Sequence, residues 1–292
     1  MADESTTTTM ASVLNPEYIG PLLDYAMDSF VATPHVNVLN LAGRGTKVAS
    51  WPKVTKDTIS ATTAEATDAS NTALDYTDVT ATVAENVIVR DITKLARRSS
   101  IFGEDELMRW IVEEGARLVY EKIEDDVIAV FASASTSVGN SGQPLTLSDY
   151  ASALSKLAIA KAFGRAVFVL SGTQQSNLRN AVVTGGAAFL GSGAGNGILA
   201  QANEDGYVGS LMNADSWVSN LCDASGVNTI GACMVSGALK PAQAAIGLAV
   251  LWWPEVEMLT NPSLRSEEVA ISSAHAATEI LDYAYVKIVT IT

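Results

Sequence analysis

The side chains able to move protons or attack a substrate are few and scattered. His35 and His275 are the only histidines in 292 residues, and histidine is the side chain whose ordinary pKa lies near neutrality. His35 follows Pro34, and His275 closes the run Val269–His275. Ordinary packing or surface positions account for both better than a paired metal or triad role. Cys222 and Cys233 are too few for a four-thiolate zinc site or a disulfide framework, and they fit a reducing compartment. There is no Gly-x-Ser-x-Gly nucleophile elbow and no His-Glu-x-x-His helix. The segment GSGAGNG at Gly191–Gly197 is glycine-dense like a phosphate loop. It lacks the closing Gly-Lys-Ser/Thr and does not fit Gly-x-Gly-x-x-Gly, so it reads as a surface loop. The paired carboxylates Asp125-Asp126 and Glu267-Glu268 are sequence neighbours whose side chains diverge. They make no glycosidase pair. Asn86-Val87-Ile88 is not a glycosylation acceptor. The expectation is a protein with no catalytic centre, metal or cofactor.

Composition points elsewhere. Hydrophobic residues make up 48% and charged residues 17%, against about a quarter charged in a typical soluble domain. Such a chain has ample core and a charge-poor surface suited to burial against copies of itself. The net charge of -14 repels a phosphate backbone. The one basic cluster, Arg90, Lys94, Arg97 and Arg98, reads as a solvated face. Met1–Met10 is polar and threonine-rich, unlike a signal peptide. Ala244–Trp253, the most apolar stretch, is too short to span a membrane. The expectation is a soluble chain made in a cytoplasm, without membrane association.

The pattern along the chain sets the elements. Residues 1–46 read as an arm, with one short helical pattern from Tyr18 to Phe30, a break at Thr33-Pro34, and extended backbone around Val36–Leu39. Val48–Val54 reads as a strand, and Pro52 inside it puts that strand on an edge or exposed ribbon. Thr58–Asp75 is too polar to bury a core, and Tyr76–Val89 returns with β-branched residues. Together they predict a long two-stranded excursion over 47–85, too thin to stand alone in water.

Glu104–Ala132 predicts a helix about 43 Å long. Its apolar half carries Leu107, Met108, Ile111, Val112, Leu118, Val119, Ile123 and Val130. Glu106, Glu113, Glu114, Arg117, Glu121 and Glu124 fall opposite, with Glu113, Arg117 and Glu121 spaced to pair. Ser133–Pro144 is a linker. A helix then runs to Ala162, with Ser148 as its cap. Ala166–Leu170 reads as a buried strand, Ser171–Val183 as a helix, and Val208–Leu211, Trp217-Val218 and Thr229–Val235 as strands. Val256–Leu259, Val269–His275 and Tyr283–Thr290 close the chain as strands, with a turn at Asn261-Pro262-Ser263.

This order of arm, long hairpin, spine helix, α/β insertion and returning strands resembles the tailed-phage major capsid proteins, which have the Hong-Kong-ninety-seven-type fold. The resemblance covers nearly the whole chain and rests on order and length rather than on a signature motif. Its most telling piece is the ending: Val256-Glu257, the Asn261-Pro262 turn, Val269–Ala274 and Asp282–Val289. It implies an α+β capsid fold divided into an N-terminal arm (1–46), an extended loop (47–85), a peripheral domain (86–142 and 254–292, with the spine helix at 104–132) and an axial domain (143–253).

The implied function is structural. Many copies would form hexamers and pentamers of an icosahedral head around double-stranded DNA that is touched only non-specifically. Partners beyond itself would be separate scaffold, portal and decoration proteins, with assembly in the host cytoplasm. No cleaved scaffold segment is evident before the arm. The inter-subunit contact residues implied are Trp51, Lys53, Lys56, Asn261, Arg265, Glu267 and Glu268. Some members join a loop lysine to a peripheral asparagine by an isopeptide, which here would be Lys53 or Lys56 with Asn261. The plainer reading pairs those lysines with Glu267 or Glu268 of a neighbour. Two rivals share parts of this pattern: an encapsulin-type compartment enclosing enzymes, and a soluble α/β enzyme.

Overall fold

The computed structural model describes residues 4–5, 30–54, 76–100, 104–184, 207–222, 228–238 and 241–291. The helical pattern expected before Phe30, the polar stretch 55–75 with Lys56, and the glycine-dense loop at 191–197 lie outside these residues. In chain order the elements begin with β1 (Glu4–Ser5), a 3-10 turn (Thr33–His35), β2 (Asn37–Asn40), β3 (Val48–Val54), β4 (Tyr76–Thr82) and β5 (Ala84–Thr93). There follow α1 (Lys94–Ser99), α2 (Glu104–Ala129), a 3-10 turn (Val130–Ser133), β6 (Ser137–Val138), α3 (Leu147–Ile159), β7 (Ala166–Leu170) and α4 (Gly172–Thr184). The chain closes with β8 (Tyr207–Leu211), β9 (Ala214–Val218), β10 (Asn228–Val235), β11 (Ile246–Asn261), β12 (Ser266–Glu279) and β13 (Tyr285–Ile291). Among the described residues, β1-β5-β12-β11-β2 form one sheet, β6-β13-β10-β7-β9-β8 a second, and β3-β4 a separate ribbon.

The long helix α2 is the wall shared by two cores. Its first half sends Leu107, Met108, Ile111 and Val119 against Ile92, Val269 and Ile271 of the first sheet. Its second half sends Ile123, Val127 and, beyond its end, Phe131 into the larger core with Phe168, Leu248 and Tyr285. Gly115 allows the helix to lie close on β12, because a Cβ there would collide with Ile271 Cδ1. At 26 residues the helix spans about 39 Å.

One expected assignment on this helix is overturned. Glu124, grouped with the polar face, is buried with 1% exposure. Its Oε1 accepts the N–H groups of Val31 (3.0 Å) and Ala32 (2.5 Å). Its Oε2 accepts the Thr33 N–H (3.1 Å) and hydroxyl (2.6 Å). The first amides of a helical turn have no partner within the turn, and this turn has no side-chain cap of its own. Glu124 supplies that cap from 91 residues away. Arg117 was expected to join Glu113 and Glu121, but Glu113 pairs instead with Arg109 at 2.7 Å.

The second sheet is built around the AVFVL strand. β7 pairs antiparallel with β10 and parallel with β9. Tyr150 of α3 stacks on Phe168 with centroids 3.7 Å apart, and its hydroxyl meets Ser216 Oγ at 3.1 Å. Burial pushes the Tyr150 phenol far above its ordinary pKa. The α3 cap is Thr146 rather than Ser148. Thr146 Oγ1 accepts the Asp149 N–H at 3.2 Å, and Asp149 Oδ2 accepts the Thr146 N–H at 3.1 Å. The α4 turn is capped by Ser171, whose hydroxyl accepts the Gln174 N–H at 3.1 Å.

Two further differences concern the closing strands. Val256–Leu259 is not a separate strand but the outer half of β11, which continues through irregular pairing between Val250 and Glu255. Pro254 has no N–H to donate, and a bulged stretch tolerates that loss. β13 was grouped with the peripheral strands, yet it pairs with β10 in the second sheet.

Replacing Glu124 by alanine strands the buried amides of residues 31–33 and is expected to lower unfolding stability by about 3 kcal/mol. Glu124→Gln, which keeps one acceptor oxygen, should lose about half as much. Denaturant unfolding of the unassembled chain measures both, and midpoints equal to wild type would refute the capping role.

Candidate assembly interface

The ribbon alternates strictly. Register runs from Val48 opposite Thr82 to Val54 opposite Tyr76, so one face carries Ala49, Trp51 and Lys53 with Thr77, Val79 and Ala81, and the other carries Val48, Ser50, Pro52 and Val54 with Tyr76, Asp78, Thr80 and Thr82. On the first face Ala49, Trp51 and Ala81 are buried in the chain's own core, while Lys53 and Val79 are half-buried and Thr77 is exposed toward the far end. Trp51 fits against Gly247, where a Cβ would lie 2.7 Å from Trp51 Cζ2. On the second face, Val54 and Tyr76 are 62% and 64% exposed. The ribbon root is therefore folded onto its own chain, which narrows the expectation that all of 47–85 needs a neighbour. What remains uncovered is the outer face and the far end of β3-β4.

The β11-β12 hairpin makes the second projection. Asn261 Oδ1 accepts the Ser263 hydroxyl at 2.7 Å and the Leu264 N–H at 3.4 Å, closing the turn. Arg265 adopts a positive φ of 53°, and its carbonyl accepts the Lys94 N–H at 2.8 Å. Val256, Met258, Leu259 and Leu264 are exposed along the hairpin. Asn261, Arg265, Glu267 and Glu268 thus lie at one end of the hairpin, while Trp51 and Lys53 lie on the ribbon. Glu267 is already paired within the chain, to Arg97. Arg90 pairs with Glu114 at 2.5 Å, so the basic cluster is partly neutralised by its own chain rather than wholly solvated.

His275 is buried mid-strand and meets partners that its sequence position did not suggest. Its Nε2 meets Asp126 Oδ2 at 3.0 Å, and its Nδ1 meets Ser273 Oγ at 3.2 Å. Lys122 Nζ donates to Asp126 at 2.7 Å and to Asp125 at 3.1 Å. The residue types are those of a hydrolase triad. Ser273, however, is fully buried, so no substrate carbonyl can reach its hydroxyl. The network instead ties β12 to α2 across 149 positions of sequence, beside an open cleft of about 660 Å³. Burial pushes the Asp126 carboxyl up, but the hydrogen bonds and charges of His275 and Lys122 outweigh this and hold it below its ordinary value. His35 stands elsewhere, its Nδ1 3.3 Å from Ser236 Oγ, and burial pushes its imidazole below the ordinary value.

No family model and no curated protein matches the sequence. Solved structures do match. The chain is similar to a structure from Mycobacterium phage Che8 with a TM-score of 0.67 and 17% identity, covering 94% of this chain and 96% of that one. The capsid of Myoviridae phage XM1 gives a TM-score of 0.70 at 10% identity, covering 95% and 97%. The capsid of cyanophage P-SCSP1u gives 0.65 at 12% identity, covering 96% and 94%. The chain shares its α+β fold with these phage structures over nearly its whole length, as the resemblance implied.

The depressed Asp126 carboxyl stabilises the folded chain fully above about pH 4, and the contribution is lost as pH falls through its lower folded value. Asp126→Asn should therefore cost about 1 kcal/mol at pH 6, with the gap to wild type closing in stronger acid. Thermal unfolding between pH 6 and pH 3 measures it. A gap that stays constant across that range would contradict the linkage.

Proposed function

We propose that this chain is a major capsid protein, a structural subunit rather than an enzyme, that assembles in many copies into an icosahedral phage head. The observation that carries the reading is mutual coverage: chains of phage capsid structures and this chain match almost end to end, with little left over on either side. Two projections support it. The outer face of β3-β4 and the distal half of β11-β12 expose apolar side chains that their own chain does not cover. A hairpin gains stability by lying on a neighbour. Many such contacts, each weak, close a stable lattice.

The finer reading divides the chain into an arm (1–46), an extended loop (47–85), a peripheral domain (86–142 and 254–292) and an axial domain (143–253), with β6 and β13 of the peripheral segments hydrogen-bonded into the sheet that the axial strands build. The ribbon lies over a neighbouring peripheral domain; Lys56, Asn261, Arg265 and Glu268 face neighbouring copies, and Lys53 reaches them from the far end of the face it shares with Trp51, where it is half-buried. Trp51 and Glu267 serve that contact indirectly, Trp51 by anchoring the ribbon root and Glu267 by holding Arg97. Scaffold, portal and decoration proteins complete the particle in the host cytoplasm. The net charge of -14 lets packaged double-stranded DNA be held without tight wall contacts.

Expressed alone or with its scaffold, the chain should sediment as capsomers or megadalton particles, and electron microscopy should show closed shells of hexamers and pentamers. A monodisperse monomer or small oligomer under all assembly conditions would overturn the proposal. Denaturing electrophoresis of purified particles tests the Lys53 or Lys56 isopeptide with Asn261: ladders of linked subunits support it, and monomer bands alone refute it.

A further inference from the structure

The 3-10 turn at Thr33–His35 is held from two sides. On one, Glu124 of α2 takes the amides of residues 31–33 and the Thr33 hydroxyl. On the other stands the end of β10. The Gly237 N–H donates to the His35 carbonyl at 2.6 Å, and His35 Nδ1 meets Ser236 Oγ at 3.3 Å. The backbones come this close because Gly237 has no side chain: a Cβ there would lie 3.0 Å from the same carbonyl. The His35 ring leans on Trp217 of β9, with centroids 5.5 Å apart. The turn runs into β2 of the first sheet, whereas β9 and β10 belong to the second. His35 therefore fastens the lead into one sheet to the strands of the other.

Only one of its ring nitrogens is served. Nε2 is buried and has no hydrogen-bond partner among the described residues. A neutral imidazole fits this site, with Nδ1–H donating to Ser236 and no proton on Nε2. An imidazolium has a proton on both nitrogens. It would bring a charge and an unanswered donor into the interior, and both are costly. Among the elements packed on the turn, the charged groups acting on the ring are Asp215 of β9 and Arg165, which precedes β7. α2 presents Glu124, already committed to the amides of residues 31–33. Arg165 grips Asp215 twice, Nε to Oδ2 at 2.5 Å and Nη2 to Oδ1 at 2.8 Å. The carboxylate nearest to serving an imidazolium is thus engaged, and the guanidinium repels the new charge. Burial is the main cause holding the imidazole below its ordinary value; Arg165 adds to it and Asp215 opposes it.

We propose that His35 is a pH-sensitive latch between the two sheets, closed by the neutral imidazole and loosened in acid. When the ring takes a proton, the turn loses its hold on Ser236 and Gly237, while Glu124 keeps the amides on the other side. The released ring binds a proton more readily than the buried one. The latch is therefore at full strength above the ordinary histidine value of about 6.5 and weakens as pH falls below it. The weakening ends where the buried ring itself protonates. The latch lies within one chain, so it stands or falls separately from the capsid reading.

Amide hydrogen exchange at Gly237 of the full-length chain measures the latch. Corrected for the intrinsic rate, exchange should speed up between pH 7.5 and pH 5.5, by at most about tenfold, the ceiling one unit below the ordinary value. Amides of β7 should not follow, which separates a local opening from global unfolding. His35→Phe keeps a ring on Trp217 but cannot titrate, so its profile should be flat whatever its rate at pH 7.5. Arg165→Met leaves the Asp215 charge unopposed and should shrink the rise. A packing role alone would move the rates and not their pH dependence.

Hydrogen exchange at the imidazole C2 position, read by mass spectrometry, gives the His35 midpoint in the wild-type chain, without reliance on any variant's folding. It should fall below about 6.5. A midpoint at or above that value would overturn the proposal. So would a flat wild-type profile, the same rise in His35→Phe, an equal rise in β7, or a larger rise in Arg165→Met.

Discussion

The carboxylate of Glu124 meets three backbone amides at the turn that precedes β2, and much of the remaining geometry depends on that meeting. The turn it caps leads directly into β2, which pairs with β11, and β2 leads through a short glycine-containing turn to the ribbon. The angle at which the ribbon leaves the body is therefore referred back to one residue of α2. A buried charge is tolerable only when its oxygens are filled by donors, and here both are. The constraint acts in both directions: the helix cannot shift along its axis without stranding the turn, and the turn cannot leave without stranding the charge.

α2 extends this constraint to the rest of the molecule because it belongs to two cores. One half packs on the hairpin sheet and the other in the main core. The Asp126–His275 pair fastens the helix to β12 between them. Ribbon, hairpin and second sheet are thus positioned by one element, while the surfaces offered to neighbours stay at the margins. The polar network that resembles a triad serves this fastening and has no access to a substrate.

Much of this was legible in the sequence. The helix at 104–132, the paired strands around the polar stretch 55–75 and the Asn261 turn each rest on periodicity or turn chemistry that acts locally. What was not legible depends on distant partners. A helical wheel sorts Glu124 with other acids because it knows only the helix, and the amides that bury it come from residues 31–33. Ser148 and Thr146 are both acceptable caps, and only the backbone angle of Thr146 decides between them. β13 reads as a strand, but β-branched residues do not say which sheet will take it. His275 and Asp126 gave no sign of meeting, and Trp51 gave no sign that Gly247 had left room for it.

The division of β11 has a consequence for sequence drift. Its inner half, Ile246–Val250, is wholly buried, whereas its outer half from Glu255 to Thr260 is exposed and adds little to the interior. The inner residues answer to the fold and must keep their shape under any circumstances. The outer residues answer to whatever touches them, so they are free to diverge in step with a partner while the body of the protein stays as it is.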